Sequence, residues 1–116
     1  MKIDELNKIK YYIGQNAREN WQILDAAIAI NNNYIWFHLN SFASPYVIMY
    51  ATLDELVSTD ISTCQYLQFG AELCKANSKY KFMKDIKIMY VPIKKLTRTG
   101  KVGEVDISGK VKLIKL

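Results

Sequence analysis

The segment Tyr34-Ile35-Trp36-Phe37-His38-Leu39 predicts a buried β-strand at the centre of the fold. Successive side chains of a strand point to opposite faces, so Ile35, Phe37 and Leu39 share one face while Trp36 and His38 share the other. Neither face is plainly polar, which is typical of an interior strand that is covered on both sides.

A second apolar strand follows the first along the chain. A short segment that ends in Ser44-Pro45 predicts a turn, because serine and proline favour turn conformations. The run Tyr46-Val47-Ile48-Met49-Tyr50 then returns as the expected antiparallel neighbour.

The residues before this pair predict a strand and a helix. Tyr11-Tyr12-Ile13 has strand character, and residues 1–9 form an N-terminal extension without a clear pattern. Asn16 with Glu19 three residues later resembles a capping box, which predicts a helix from there to about Ile30. The expected buried stripe of this helix consists of Ala17, Trp21, Leu24 and Ile28.

The residues after the pair predict a second long helix. Residues 54–57 are expected to be a loop or short turn, and Ser58, Thr59 or Asp60 can cap a helix that runs to about Asn77. Gly70 within it suggests close packing, since glycine otherwise weakens a helix. The expected buried stripe consists of Ile61, Cys64, Leu67, Ala71 and Cys74.

The C-terminal third predicts further strands around a basic loop. Residues 85–91 are expected to form a strand, and Pro92 either ends it or sits at a sheet edge. Residues 94–101 are expected to form the loop. Residues 102–107 and 110–114 are expected to pair as a closing hairpin. Together these elements predict one compact α+β domain over residues 1–116, with a mostly antiparallel sheet packed against two main helices.

Composition and cysteine spacing indicate an intracellular protein. At 50% hydrophobic residues the chain can bury a core, and no apolar run approaches the roughly 18 residues needed to span a bilayer. The N-terminus carries early acids, so no secretory signal is expected. Cys64 and Cys74 are predicted to be reduced core thiols about 15 Å apart on one helix. We expect a cytoplasmic location, with the nucleus as the alternative, and no membrane association.

Charge is distributed unevenly along the chain. Residues 1–74 contain four basic and eight acidic side chains, whereas residues 75–116 contain twelve basic and three acidic ones. This asymmetry favours a polyanion as the partner of the C-terminal third. The alternative is a solvated face that only keeps the protein soluble.

Several basic and aromatic residues are candidates for nucleic-acid contacts. Tyr80 or Phe82 could offer a stacking face between the lysines, and the helix start at Asn16 and Ala17 could hold a phosphate. His38 is either a buried histidine bonded to backbone or a binding residue next to Tyr46. The predicted nucleic-acid-binding residues are Arg18, His38, Tyr46, Lys79, Lys81, Lys84, Lys94, Lys95, Arg98 and Lys101.

Catalytic signatures are absent from the sequence. The chain has one histidine and no partnered nucleophile, no metal-ligand spacing and no phosphate-binding glycine loop. We therefore expect no enzymatic activity, no metal and no cofactor.

Five segments in register resemble the NFACT-R domain, the RNA-binding domain of NFACT proteins, and its stand-alone branch, the coiled-coil-domain-containing protein 25 family. The segments are Gly14-Gln15-Asn16-Ala17-Arg18-Glu19-Asn20, Ile35-Trp36-Phe37-His38, Ser44-Pro45-Tyr46-Val47, Leu73-Cys74-Lys75-Ala76-Asn77-Ser78 and Tyr90-Val91-Pro92 with Leu96 and Val102-Gly103.

The resemblance implies a nucleic-acid-binding module, with tRNA or ribosomal RNA as the expected ligand and DNA as an alternative. Multidomain relatives are ribosome-associated quality-control factors that engage the large ribosomal subunit, so the ribosome is an expected partner. A protein-interaction module that docks on a ribosomal or other partner without catalysis is the second hypothesis.

Three positions depart from the family pattern that the resemblance implies. Gln15 and Tyr50 stand where basic residues are usual, and Tyr46 stands where a histidine is usual. If those positions contact phosphate in the family, part of that site is either lost here or shifted toward stacking.

Overall fold

The strand Ile35–Leu39 lies inside a six-stranded antiparallel sheet in the computed structural model, which describes all 116 residues. The strands are β1 (Lys2–Leu6), β2 (Ile9–Ile13), β3 (Ile35–Leu39), β4 (Val47–Met49), β5 (Lys87–Pro92), β6 (Leu96–Arg98), β7 (Val105–Ile107) and β8 (Lys112–Lys115); the helices are α1 (Ala17–Ile30), α2 (Leu53–Val57) and α3 (Thr63–Ala76). The sheet order is β1-β2-β4-β3-β5-β8, and β6 pairs with β7 as a separate ribbon. The α+β fold class is therefore confirmed.

Two hydrophobic cores form because β3 is apolar on both faces. Ile35, Phe37 and Leu39 pack on one face, in a core with buried residues of α2 and α3. Trp36 packs on the other face, in a core with buried residues of α1 and with the β6–β7 ribbon at its edge. The predicted alternation and the interior position of β3 are both confirmed.

Gly70 explains how closely α3 approaches the sheet. A Cβ atom at this position would overlap the ring of Phe37, with Cε1 only 2.6 Å away. Glycine at position 70 therefore allows the close packing that the sequence suggested. In exchange, it lowers the intrinsic stability of the helix.

The helices begin and end at capping residues. Asn16 caps α1 as predicted, since its Oδ1 accepts a hydrogen bond from the Glu19 amide at 2.9 Å. Residues 54–57 are not a loop; they belong to α2, which Thr52 and Glu55 start with a capping box. The predicted cap of α3 is also wrong, because Ser62 caps it through a second capping box with Gln65.

The predicted buried stripes of the helices are partly wrong. In α1 the buried residues are Asn20, Ile23, Leu24 and Ala27, whereas Ala17 and Ile28 are exposed. The buried face also includes a polar residue, Asn20, whose Oδ1 accepts a hydrogen bond from the Tyr46 amide at 3.0 Å.

In α3 the two cysteines have different surroundings. Cys74 is buried as predicted, and burial raises its pKa to about 12. Cys64 is exposed, so its assignment to the core is wrong; Tyr66 takes the buried position on that turn.

The ends of the chain pair differently from the prediction. Residues 1–9 are not an extension without structure, because β1 pairs with β2 at one edge of the sheet. The expected hairpin of residues 102–107 and 110–114 does not form: β7 pairs with β6, and β8 pairs with β5 at the other sheet edge. No helix has the length and apolar character that crossing a bilayer requires.

Candidate functional site

Two clefts meet at the end of β3, with His38 between them. The first, which we call the polar cleft, has a volume of about 400 Å³ and is lined mainly by the start of α1 and the end of α3. The second, which we call the apolar cleft, also has a volume of about 400 Å³ and is lined by β3, β5 and the β6–β7 ribbon. His38, Ala43 and Gly103 line both. Ligand groups in the two clefts would therefore be direct neighbours.

The His38 ring is held in one orientation between the clefts. It stacks on Trp36, with ring centroids 5.3 Å apart and planes 8° from parallel, and it meets Tyr46 edge-on. Its Nδ1 lies 2.7 Å from the carbonyl oxygen of Leu39, so Nδ1 carries the proton and donates. Burial lowers the pKa of His38 below that of a free histidine. The neutral ring therefore presents Nε2 as a hydrogen-bond acceptor.

The sequence left two interpretations of His38 open, and each describes part of the geometry. The ring is half-buried and bonded to backbone, as the first interpretation has it. It also lines both clefts, as the second requires.

Tyr46 is buried beside the clefts, so its ring has no exposed face on which a base could stack. Its side chain is 2% exposed, and its hydroxyl donates to the carbonyl oxygen of Gly103 at 2.6 Å. Burial, with a smaller contribution from Glu104, raises the pKa of Tyr46 to about 12. Tyr46 therefore ties the loop between β6 and β7 to the core, and its role as a direct nucleic-acid contact stays a prediction.

The other two departures from the family pattern also occupy definite places. The Tyr50 ring lies between those of Tyr12 and Tyr34, with centroids 4.2 and 4.8 Å away, so it belongs to a tyrosine cluster outside both clefts. Gln15 lines the polar cleft, and its Oε1 accepts a hydrogen bond from the N-terminal ammonium at 3.2 Å.

The start of α1 provides donors on one side of the polar cleft. Asn16 and Ala17 line the cleft, and the first-turn amides of a helix have no partner within the helix. Asn20 is 5% exposed and lines the same cleft; its Oδ1 bonds to Tyr46, and its Nδ2 makes no hydrogen bond within the protein. The cleft thus contains a solvent-accessible amide donor that is free for a ligand.

The carboxylate at this helix start is already engaged. Glu19 Oε1 accepts from the Gln15 amide at 3.0 Å and lies 2.9 Å from the N-terminal ammonium. These contacts, the ammonium first, lower the pKa of Glu19.

The end of α3 provides the other side of the polar cleft. Ser78 donates to the carbonyl oxygen of Lys75 at 2.7 Å, and its hydroxyl accepts from the Tyr80 amide. This turn places Lys79 at the cleft, while Tyr80 packs its ring on Phe42 with centroids 4.6 Å apart. Phe82, in contrast, is 89% exposed, and the ammonium of Lys81 lies 5.3 Å from its ring centre.

The predicted basic residues do not converge on one surface. Lys79 lines the polar cleft and Lys101 the apolar cleft. Lys81 lies at a separate groove with Glu72 and Lys115, and Lys94 lies at another groove near the start of β3. Arg18, Lys84 and Lys95 are exposed outside both clefts.

Arg98 has its charge paired already. Its Nη1 donates to both carboxylate oxygens of Asp25, at 2.8 and 2.6 Å, and its guanidinium lies 4.3 Å from the ring centre of Trp21. It therefore holds the β6–β7 ribbon against α1 and does not serve as a free cation.

Asn20, Ser44, Ser78 and Gly103 belong to the site and were missed from sequence. Gly103 has φ +83, and a Cβ atom there would lie 2.8 Å from the Cα of Ala17, so only glycine fits between the ribbon and α1. The available signal was the polar Asn20 within an apolar helix stripe. No group of three or more His, Cys, Asp or Glu side chains is placed to hold a metal ion.

Comparisons with known proteins agree on the fold and the family. The model of the NFACT protein RNA-binding domain family matches residues 3–114. The solved structure of the C-terminal part of the fibronectin/fibrinogen-binding protein from Streptococcus suis superposes with a TM-score of 0.75 at 20% identity, over 94% of this chain and 41% of that one. This likeness shows the fold alone, and the chain spans less than half of that structure. No curated protein matches the chain.

Proposed function

The chain belongs to the NFACT RNA-binding domain family, and we propose that it binds RNA through the polar cleft and the lysines beside it. The observation that carries this proposal is the set of unused donors in that cleft. Asn20, whose Nδ2 makes no hydrogen bond within the protein, Ala17 in the first turn of α1 and Lys79 all line one space of about 400 Å³. Phosphate and ribose oxygens are the acceptors that such a set binds.

The lining of the polar cleft favours ribose as well as phosphate. Alongside Lys79, most of its polar groups are neutral amides and hydroxyls, including those of Asn16, Asn20, Ser44 and Asn77. Neutral groups of this kind both donate to and accept from a 2′-hydroxyl, which DNA lacks. We therefore favour RNA over DNA as the ligand.

Positive charge outside the clefts supports a large polyanion as the ligand. Lys81, Lys84, Lys94 and Lys95 are exposed at separate places, so only an RNA of substantial size can contact several of them at once. We extend the proposal to tRNA or ribosomal RNA, and to a role at the ribosome in translation quality control, as the resemblance to NFACT-R proteins implies. Within the family, we propose that the chain belongs to the stand-alone branch, the coiled-coil-domain-containing protein 25 family.

We propose binding without catalysis. The single histidine donates to a backbone carbonyl and has no carboxylate or nucleophile as a hydrogen-bond partner. Its Nε2 is suited to accept a hydrogen bond from a bound ligand. A cytoplasmic location accords with this role.

The direct test is binding of the purified chain to labelled tRNA and to a ribosomal RNA fragment at low and moderate salt. We expect the chain to bind both RNAs at low salt and to bind them more weakly as the salt concentration rises, because phosphate contacts release counterions. A lack of binding at both salt concentrations would refute the proposal. A partner that remains bound after nuclease treatment, without RNA binding, would instead support the protein-interaction hypothesis.

A further inference from the structure

We propose that the apolar cleft receives one unstacked base of the RNA whose backbone lies in the polar cleft. This inference rests on the proposed function and adds that the domain distinguishes unpaired from fully paired RNA. The inference starts from two groups without a hydrogen-bond partner: the indole N–H of Trp36, a donor, and Nε2 of His38, an acceptor. Their rings stack on each other in β3.

The donor is the indole N–H of Trp36. Trp36 is 1% exposed and lines the apolar cleft; its Nε1 has no hydrogen-bond partner in the protein and is closed to solvent, so a ligand reaches it only when the cleft lining shifts. A buried N–H without an acceptor is unfavourable, and a ligand that supplies an acceptor therefore favours such a shift. The other unpartnered indole, that of Trp21, lies beneath the Arg98 guanidinium and lines neither cleft.

The acceptor is Nε2 of His38. Because Nδ1 donates to the Leu39 carbonyl, Nε2 carries the lone pair. The Watson–Crick edge of every base combines donor and acceptor groups and is free in an unpaired base, so such a base can satisfy the Trp36 donor and the His38 acceptor together.

The remaining lining of the apolar cleft suits a flat, uncharged group. Its walls are mostly hydrophobic, and its volume of about 400 Å³ falls within the range of small-molecule sites. The apolar wall residues are Leu39, Phe42, Met89, Val102, Val105 and Ile107.

Charge distinguishes the occupants of the two clefts. Lys79 is the only charged residue that lines the polar cleft, whereas the apolar cleft is lined by one acidic residue, Glu104, and one basic residue, Lys101, so the interior of the apolar cleft favours a neutral base over a phosphate. His38, Ala43 and Gly103 separate the clefts, which places a base on one side and its own sugar-phosphate on the other. Lys101 lines the apolar cleft and can contact the next phosphate.

The test uses two RNAs with equal numbers of phosphates: an unstructured single strand, and a fully paired hairpin closed by a non-nucleotide linker. We expect the affinity for the single strand to be at least about tenfold higher than that for the hairpin, since stacking of one base contributes on that scale. In a Trp21→Phe variant, where Trp36 is the remaining tryptophan, the single strand should change the tryptophan emission.

A blocking variant separates the base site from the rest of the surface. Val102 is 54% exposed and lines the apolar cleft, so Val102→Glu introduces a charge there without disturbing the core. It should remove the tenfold preference for the single strand. Val57→Glu, at a 75% exposed position on α2, is the matched control and should leave the preference unchanged.

Failure of the inference and failure of the proposed function give different results. Equal binding of both RNAs, unaffected by Val102→Glu, would overturn the base site and leave RNA binding in place. No binding of either RNA at low salt would overturn both. A change in Trp36 emission with an aromatic peptide, and none with RNA, would overturn the base site in favour of a protein ligand.

Discussion

Replacing the two cleft lysines, Lys79 and Lys101, with alanine should reduce the salt dependence of RNA binding by a calculable amount. Neither lysine forms an ion pair in the structure, so each is free to neutralise one phosphate. For single-stranded nucleic acid each such contact contributes about 0.7 to the slope of log affinity against log salt, so the double variant should lose about 1.4. Between about 50 and about 200 mM salt, the wild-type affinity should then fall about sevenfold more than that of the variant.

The matched control removes the same charge elsewhere. The control variant replaces two exposed lysines, Lys94 and Lys95, with alanine. Lys94 lines a groove together with Ile35, which lies three residues along β3 from His38. Three residues of a strand span about 10 Å, which is about the distance over which salt screens a charge at 0.1 M. With a single-stranded RNA short enough to cover only the two clefts, we expect this variant to retain nearly the whole wild-type slope.

Fluorescence anisotropy of a labelled single-stranded RNA over a series of salt concentrations measures both slopes, and circular dichroism confirms that each variant is folded. If the two double variants lose the same slope, binding depends on diffuse charge, and the placement of Lys79 and Lys101 has no special role. An unchanged slope in the cleft variant would refute the assignment of the two lysines to phosphate.

Three further predictions concern the framework of the site. Tyr46→Phe removes the hydroxyl that bonds the Gly103 carbonyl, and urea unfolding should show a loss of about 0.5–1.5 kcal/mol. Gly70→Ala forces a methyl group into the phenylalanine ring of β3, and thermal unfolding should reveal a loss of about 1–3 kcal/mol. Because burial lowers the pKa of His38, NMR titration of this single histidine should give a value below 6.5, and His38 should contribute stability that falls as pH drops below 6.5.

Each of these predictions has its own contradiction. Gly100→Ala is the control for Gly70→Ala, since nothing lies within 4 Å of a Cβ there; equal effects of the two would contradict the packing argument. Unchanged stability in the Tyr46 variant would mean that water replaces the lost hydroxyl. A His38 pKa at or above 6.5 would show that the ring is hydrated, or that nearby Glu104 stabilises its charged form.

The strands and helices near the centre of the chain were predictable because their signals are local. The period-two alternation from Ile35 to Leu39 depends only on neighbouring residues, and so does the Asn16 cap with Glu19 three positions on. Pro92 ends β5 as its missing N–H group requires.

Pairing at the sheet edges was not predictable from local signals. The run from 102 to 114 has the spacing of a hairpin, yet β7 joins β6 and β8 joins β5. β6 and β7 pair across the short segment 99–104, whereas β8 pairs with β5, which lies far from it along the chain. The alternating pattern of a strand does not specify which exposed edge it joins. The buried face of α1 likewise depends on long-range contacts, among them the hydrogen bond between Asn20 and Tyr46.

By itself, the sequence determined the buried central strand, the two long helices, the α+β class and the residue types available to hold an RNA. Only the tertiary structure decided which of those residues share a site. Lys79 and Lys94 belong to one basic segment of the chain, yet they lie near opposite ends of β3. Asn16, His38 and Lys79 are far apart in sequence and border one cleft. The physical reason is that helix and strand periodicity is set within a few residues, whereas a binding site is set by which strand edges and helix ends come together.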